Sequence, residues 1–95
     1  MSETKRLRHA ATAGFEEKND LLVRAVPANQ GAGIQISITS PVLLQFGDHI
    51  RDLVAETVKT AGFDDIIVEI KDKGAWDYTI QARLLAALER GMKDE

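Results

Sequence analysis

The sequence lacks cysteine entirely. This absence excludes disulfides, thiolate metal sites and thiol nucleophiles, and it is compatible with a reducing compartment. The sequence also lacks an apolar run of the roughly 20 residues that a membrane span needs, and it begins without the apolar core of a secretory signal. We therefore expect a cytoplasmic protein with no membrane partner.

Positive charge is scarce as well. Twelve lysines and arginines stand against 15 acidic residues, for a net charge of -3. Nucleic-acid-binding surfaces normally show a basic excess, so this balance argues against such a surface. A small basic cluster is present at Lys5, Arg6, Arg8 and His9, and it leaves a nucleic-acid-binding regulator as an alternative. Charged segments near a terminus are usually just solvated.

The rest of the composition is that of a globular protein. The chain has 95 residues, of which 44% are hydrophobic and 28% charged. A chain of this length buries roughly two-thirds of its unfolded surface and folds without staples. We predict a single domain over residues 1–95, with residues 1–10 as a flexible N-terminal arm.

Three segments have the composition of β-strands. Residues 21–26 end at Pro27, residues 34–39 alternate cleanly between isoleucine and polar side chains, and residues 66–71 carry Ile66, Val68 and Ile70 on one face. Residues 28–33 contain turn-forming asparagine and glycine, which predicts a hairpin between the first two strands. Residues 11–14 are an edge strand or an extended arm.

Two segments have the period of helices. The first begins at Ser40-Pro41 and runs to about residue 61, where Gly62 ends it. For the second helix, we predict Asp77 as the N-terminal cap and Gly91 as the left-handed residue that ends it. Its apolar stripe consists of Trp76, Ile80, Leu84, Ala87 and Leu88. We expect Trp76 to be buried against the first helix as an anchor of the domain.

The order strand, strand, helix, strand, helix predicts an α/β fold. A right-handed crossover between the second and third strands places both helices on one face of a short mixed sheet. The result is a small two-layer sandwich. The other face mixes apolar and polar side chains, and it is either ordinary surface or a docking surface.

No catalytic constellation is visible in the residues alone. The adjacent acidic pairs lie in turns and do not converge as acid and base. His49 lies on the polar side of the first helix without a second histidine or a cysteine to complete a metal site. The sequence therefore favours a non-catalytic binding or carrier module with no metal.

Three stretches together resemble a known family. They are ATAGFEEKND at residues 11–20, QFGDHIR at residues 45–51 and DKGAWDYTIQARLLAAL at residues 72–88. They resemble the acyl carrier (gamma) subunit of citrate lyase, and equally of citramalate lyase. This resemblance implies a carrier subunit of a cytoplasmic lyase complex of citrate fermentation. Its prosthetic group would be phosphoribosyl dephospho-coenzyme A, which presents acetyl and citryl thioesters to the transferase and cleaving subunits.

The turn that would carry the group departs from the family pattern. Gly14, Glu17 and Asp20 match, but Lys18 occupies the position of the serine to which the family attaches its group. An amine cannot form the required phosphodiester. Either the group is attached elsewhere, with Thr12 and Thr4 as the nearest hydroxyls on that side, or the chain is a degenerate carrier that docks partners without a prosthetic group.

The resemblance also indicates where partners would bind. A turn that enters the active sites of two subunits is expected to be mobile and free of core contacts. Docking would then use nearby surfaces, and the QFGDHIR segment offers Asp48 and Arg51 as exposed charges. The alternative is that these two charges belong to an ordinary solvated helix face.

Overall fold

The computed structural model describes residues 4–93. The elements in chain order are β1 (Ala11–Gly14), β2 (Leu21–Pro27), β3 (Ile34–Thr39), α1 (Leu43–Thr60), β4 (Ile66–Asp72) and α2 (Asp77–Met92). Both helices pack on one face of the sheet, as predicted, and residues 11–14 add a further strand. Within the described range, no helix is both long enough and apolar enough to cross a bilayer.

The four strands form one mixed sheet in the order β1-β2-β4-β3. Strands β1 and β2 are antiparallel, β2 and β4 are antiparallel, and β3 is parallel to β4. The predicted hairpin between β2 and β3 is therefore wrong, because β4 lies between them. Strand β4 is apolar enough to take the central position, with Ile66, Val68 and Ile70 all buried. Within residues 4–93, the one hairpin joins β1 to β2 through residues 15–20.

The core fills the space between the sheet and the helices. Alternate residues of β2, Leu21, Val23 and Ala25, are completely buried, as their period of two requires. The helices cover them with buried side chains that include Val54, Val58, Ile80, Leu84 and Leu88. Leu7 also joins this core, and the Lys5 amide donates to the Gly62 carbonyl at 2.7 Å. Part of the segment that we predicted as an arm is thus packed, while residues 1–3 lie outside the described residues.

Both ends of α2 differ from the prediction. Asp77 is the first helical residue and caps nothing, whereas Trp76 occupies the N-cap position in an extended conformation. Gly91 is helical and buried, and the helix continues to Met92. The reason is a close approach: a Cβ on Gly91 would lie 2.6 Å from Leu7 Cδ2 and 3.1 Å from the His9 carbonyl oxygen. The glycine serves packing against the N-terminal segment and does not end the helix.

The strand registers bring three distant segments to one end of the sheet. Leu21 pairs with Asp72, so the β1–β2 turn lies at the carboxyl end of β4, and Thr39 pairs with Lys71, so β3 ends there too. Helices α1 and α2 follow β3 and β4 directly and therefore both begin at this end. We call this region, formed by residues 15–20, 40–49 and 72–80, the turn end.

Candidate functional site

The turn end gathers the three sequence stretches that carry the family resemblance. The turn of residues 15–20 comes from ATAGFEEKND, the first turns of α1 from QFGDHIR, and the link from β4 into α2 from DKGAWDY. The first and last of these stretches are separated by residues 21–71, and the sheet topology brings them together. This convergence makes the turn end the candidate functional site.

The turn itself is an exposed loop on a fixed base. Residues 15–19 are all exposed, and Asn19 adopts a left-handed conformation with φ of 64°. The Phe15 amide donates to the Leu21 carbonyl at 3.0 Å, which continues the β1–β2 ladder. Gly14 has φ of 88°, and a Cβ there would lie 2.0 Å from the Leu21 carbonyl oxygen. Only glycine allows the two strands to approach this closely.

An arginine of α2 clamps the other side of the turn. Arg83 donates to both carboxylate oxygens of Asp20, from Nε at 3.1 Å and from Nη2 at 2.9 Å. Its guanidinium also lies 5.9 Å from the centre of the Phe15 ring, within cation–π range. The Arg83 hydrogen bonds, and one from the Leu21 amide, hold the pKa of the Asp20 carboxyl below its usual value. This bidentate ion pair fixes the orientation of the Asp20 carboxylate as well as neutralising its charge.

The link between β4 and α2 supports the turn from below. The Asn19 amide donates to the Lys73 carbonyl and the Lys73 amide donates to the Asp20 carbonyl, both at 2.9 Å. None of residues 15–20 belongs to the hydrophobic core, as predicted, but hydrogen bonds that Asp20 accepts from Arg83 and Lys73 hold the base of the turn. The exposure of its tip agrees with the expectation, and its mobility stays a prediction.

Lys18 lies at the exposed tip of this loop. The tip presents an ammonium group where attachment through a phosphodiester requires a hydroxyl oxygen, and the whole turn of residues 15–20 contains no serine, threonine or tyrosine. The family's prosthetic group therefore does not fit the residues present at this turn. The phosphate would need to be esterified at some other oxygen.

The two alternative hydroxyls are poorly placed for the tip. Thr12 alternates with the buried Ala13 and pairs with Arg24, so its side chain lies on the uncovered face of the sheet. Thr4 precedes Lys5, which bridges to Phe63 at the opposite end from the turn. The length of β4 separates that end from the turn, a distance of about 20 Å at 3.3 Å per residue. Neither hydroxyl lies at the tip of the turn, and attachment at either stays a prediction.

A buried carboxylate joins the starts of the two helices. Asp72 ends β4 and is almost fully buried. Its Oδ2 accepts a hydrogen bond from Ser40 Oγ at 2.7 Å, and its Oδ1 accepts one from the Ala75 amide at 2.9 Å. Ser40 Oγ in turn accepts from the Val42 amide at 3.2 Å. These bonds satisfy the Asp72 carboxylate and fix where α1 and α2 begin relative to each other.

Large apolar side chains are exposed at the turn end. Among residues 4–93, six of the seven exposed large apolar side chains lie there, Leu85 being the exception: Phe15, Leu43, Leu44, Phe46, Trp76 and Tyr78. Trp76 is 66% exposed, so its predicted burial is wrong. The apolar period of α2 includes Trp76, but the helix begins at Asp77, so Trp76 lies outside it. Ile80 lies in the hydrophobic core instead, and Ala75 packs against that core.

Three of these aromatic side chains line a groove between the two helix starts. The groove has a volume of about 550 Å³, and its lining consists of Val42, Phe46, His49, Ile50, Asp72, Gly74, Ala75, Trp76, Asp77, Tyr78 and Ile80. His49 Nε2 lies 2.8 Å from Asp77 Oδ2 across the rim. Gly74 borders both features, since a Cβ there would lie 3.6 Å from Asn19 Oδ1 in the turn. The groove is thus continuous with the base of the turn.

The structure does not bring Asp48 and Arg51 to this groove. Arg51 Nη1 donates to the Ile36 carbonyl at 2.9 Å, on the edge strand β3, which is the strand farthest from the β1–β2 turn. Asp48 is exposed and is absent from the groove lining. Docking through these two residues stays a prediction. The part of the chain that is described contains no cluster of three potential metal-ligating side chains.

Sequence reasoning missed Arg83, Phe46 and Tyr78 as residues of the site. Phe46 continues the apolar period of α1, yet it is exposed and lines the groove together with Trp76. Arg83 had one available signal, since it lies inside the DKGAWDYTIQARLLAAL stretch. Its partner Asp20 is 63 residues away, and no local period connects the two.

Comparison with known proteins agrees with this architecture. A sequence model of the family described as "Malonate decarboxylase delta subunit (MdcD)", an acyl carrier protein family, matches residues 8–91. The citrate lyase acyl carrier protein of Streptococcus equi subsp. zooepidemicus is 42% identical over 84 residues, covering 88% of this chain and 81% of the relative. That of Halothermothrix orenii is 34% identical over 87 residues, covering 92% and 90%.

A solved structure shows the same fold. A chain of the Pseudomonas malonate decarboxylase hetero-tetramer in complex with malonate superposes with a TM-score of 0.71 at 20% identity, covering 95% of this chain and 91% of that one. The sequence relatives carry the family assignment, and the solved structure supports the fold. The chain therefore belongs to the acyl carrier protein family that includes the malonate decarboxylase delta subunit and the citrate lyase acyl carrier proteins.

Proposed function

We propose that this protein is a non-catalytic, cytoplasmic carrier-fold subunit of a citrate lyase-type complex that docks partner subunits without a prosthetic group at its turn. The observation that carries this proposal is Lys18 at the exposed tip of the β1–β2 turn, in a chain that belongs to an acyl carrier protein family. The partners would be the transferase and cleaving subunits of the complex. The role of the chain would be to orient these two subunits and to help assemble the complex.

The chemistry of the turn supports an unloaded subunit. A phosphodiester needs an oxygen nucleophile from the protein, and the lysine ammonium is a hydrated cation that forms no such ester. Thr12 lies on the uncovered sheet face, and Thr4 belongs to the opposite end. The charge at the tip also changes sign relative to a phosphate-bearing group. A partner site built for an anionic arm would meet a cation here.

A second candidate is a loaded carrier that presents acetyl and citryl thioesters, as the family resemblance implies. It is favoured by the retained Gly14, Glu17 and Asp20 and by the rigid base of the turn. The phosphoribosyl dephospho-coenzyme A group would supply the thiol that holds the acyl unit. It would have to be attached at a hydroxyl other than residue 18, and citramalate lyase would be an equivalent context for it.

Intact-mass measurement decides between the two candidates. The protein is expressed in its own host, or together with the transferase that attaches the family's group, and then weighed and fragmented. We expect the unmodified mass for the natural chain. A dephospho-coenzyme A adduct mapped to any residue would instead establish the loaded carrier.

The matched variant is Lys18→Ser. Because the base of the turn makes no use of the Lys18 side chain, this variant is expected to keep the fold and to accept the group from the attaching transferase. A serine variant that stays unmodified beside a transferase active on a citrate lyase carrier would show that residue 18 is not the attachment position.

A further inference from the structure

We propose that the groove between the starts of α1 and α2 binds an arginine side chain of a partner subunit, with its stem on the aromatic rings and its guanidinium at Asp77. This inference deepens the proposed function, because it rests on the chain being a docking subunit and names the surface and the chemistry of the contact. The proposed contact involves neither Lys18 nor the other residues of the turn, which lie beside the groove.

The exposure pattern is the first argument. Exposed tryptophan and tyrosine side chains that cluster on a small protein mark interaction surfaces, and these two types are enriched among the residues that dominate binding energy. Trp76 and Tyr78 flank Asp77 at the start of α2, and Phe46 faces them from α1. Scattered surface apolar residues would be unremarkable, but here one end of the molecule holds nearly all of those in residues 4–93.

Charge complementarity selects the occupant. The groove lining contains two carboxylates, Asp72 and Asp77, and no lysine or arginine. Asp72 is already satisfied by Ser40 and the Ala75 amide. Asp77 is half exposed and contacts only the ring of His49 among the described side chains. A ligand that fills the groove therefore meets aromatic walls and one available carboxylate.

An arginine meets both requirements in one side chain. Its three-methylene stem lies on apolar surface, its planar guanidinium stacks on aromatic faces, and its fork of N–H donors matches a carboxylate. An acidic occupant would be repelled by Asp77, and a purely aliphatic one would displace water from the carboxylate and leave it only its contact with His49. A second copy of this chain would fill the groove only by self-association, which is measurable.

The test measures binding of the transferase and cleaving subunits of a citrate lyase to the natural chain and to Trp76→Ala and Asp77→Asn. Matched controls are Leu85→Ala, an exposed apolar residue of α2 outside this groove, and Asp52→Asn, an exposed carboxylate of α1 outside it. We expect each groove variant to weaken binding about tenfold or more and each control to stay within about twofold. Equal binding by all four variants would overturn the proposal.

A second arm keeps the groove testable if neither subunit binds, in which case the proposed function fails by itself. Trp76 is the only tryptophan of the chain, so its emission reports directly on the groove. The probe is Nα-acetyl-arginine amide, compared with its uncharged citrulline analogue. A saturable change with arginine alone, lost in Asp77→Asn, supports the site, whereas no difference between the probes refutes it. Sedimentation that shows a dimer abolished by Trp76→Ala would assign the groove to a second copy and also refute it.

Discussion

The close approach of β1 and β2 below the turn allows a prediction with a matched control. Gly14 and Gly31 both have left-handed backbones, with φ of 88° and 86°. A Cβ on Gly14 would lie 2.0 Å from the Leu21 carbonyl oxygen, whereas a Cβ on Gly31 meets nothing within 4 Å. Alanine at the two positions therefore has the same conformational cost and differs only in the clash.

The magnitudes follow from these two terms. An L-residue in the left-handed region costs about 1–2 kcal/mol, partly offset by about 0.4–1 kcal/mol from the smaller entropy of the unfolded chain. Gly31→Ala should therefore lower the free energy of unfolding by about 1 kcal/mol. Gly14→Ala adds an overpacking term of about 1–3 kcal/mol, since the obstructing atom belongs to the backbone of β2 and cannot rotate away.

The assay is urea and thermal unfolding of both variants, followed by far-ultraviolet circular dichroism. For a domain of this size the difference between the variants corresponds to about 4–24 °C in Tm, with Gly14→Ala the less stable. The m-value should stay unchanged, because the surface buried on folding is the same. If the two variants melt together, the chain does not approach the Leu21 carbonyl as described, and the account of the turn's base fails.

Three further predictions concern the Asp20 carboxylate, the buried face of α2 and the exposure of Trp76. Because the folded pKa of Asp20 is lowered, its contribution to stability is complete above the unfolded value of about 3.9 and is lost as pH falls through the lower folded pKa. Urea midpoints measured downward from pH 7 should therefore fall more steeply below about pH 4 for the natural chain than for Asp20→Asn, and parallel profiles would contradict the clamp. Leu84→Ala should cost about 2–5 kcal/mol of unfolding free energy because Leu84 is fully buried, while Leu85→Ala, at a side chain 47% exposed, should cost well under half as much; equal losses in chemical denaturation would show that the α2 face is misassigned. Trp76 emission in the folded protein should be red-shifted and readily quenched by iodide, and a blue-shifted, protected signal would restore the buried anchor.

The strands and the layer arrangement were predictable because their signals are local. A period of two in residues 21–26, 34–39 and 66–71 identifies the buried face, and the helix after residue 39 forces a parallel crossover. Strand order was beyond this reasoning. The turn composition of residues 28–33 fits a β3 that pairs directly with β2, and it fits equally a β3 separated from β2 by β4. Which arrangement forms depends on burial across the whole sheet.

The predicted end of α2 at Gly91 and the predicted burial of Trp76 are wrong because tertiary contacts override the local sequence signals there. Gly91 has the sequence signature of a helix end, yet it is required inside the helix by Leu7, a residue 84 positions away. Trp76 continues the apolar period of α2, yet the helix begins one residue later. The apolar periodicity of a helix indicates which residues share a face. It does not indicate how far the neighbouring elements extend to cover that face.

The position of Lys18 relative to the contacts that hold the turn shows that the fold does not depend on the residue type at the tip. The turn is held by Gly14, Phe15, Asn19 and Asp20, through the Leu21 carbonyl, Arg83 and Lys73, and none of these contacts uses the side chain at position 18. Substitution at the tip therefore changes the chemistry that the turn presents at little cost in folding free energy. The groove beside it is likewise built from residues of α1, α2 and the β4–α2 link. On the proposals above, docking and group attachment depend on separate residues of the turn end, so a chain that carries no group at the turn would still present the groove.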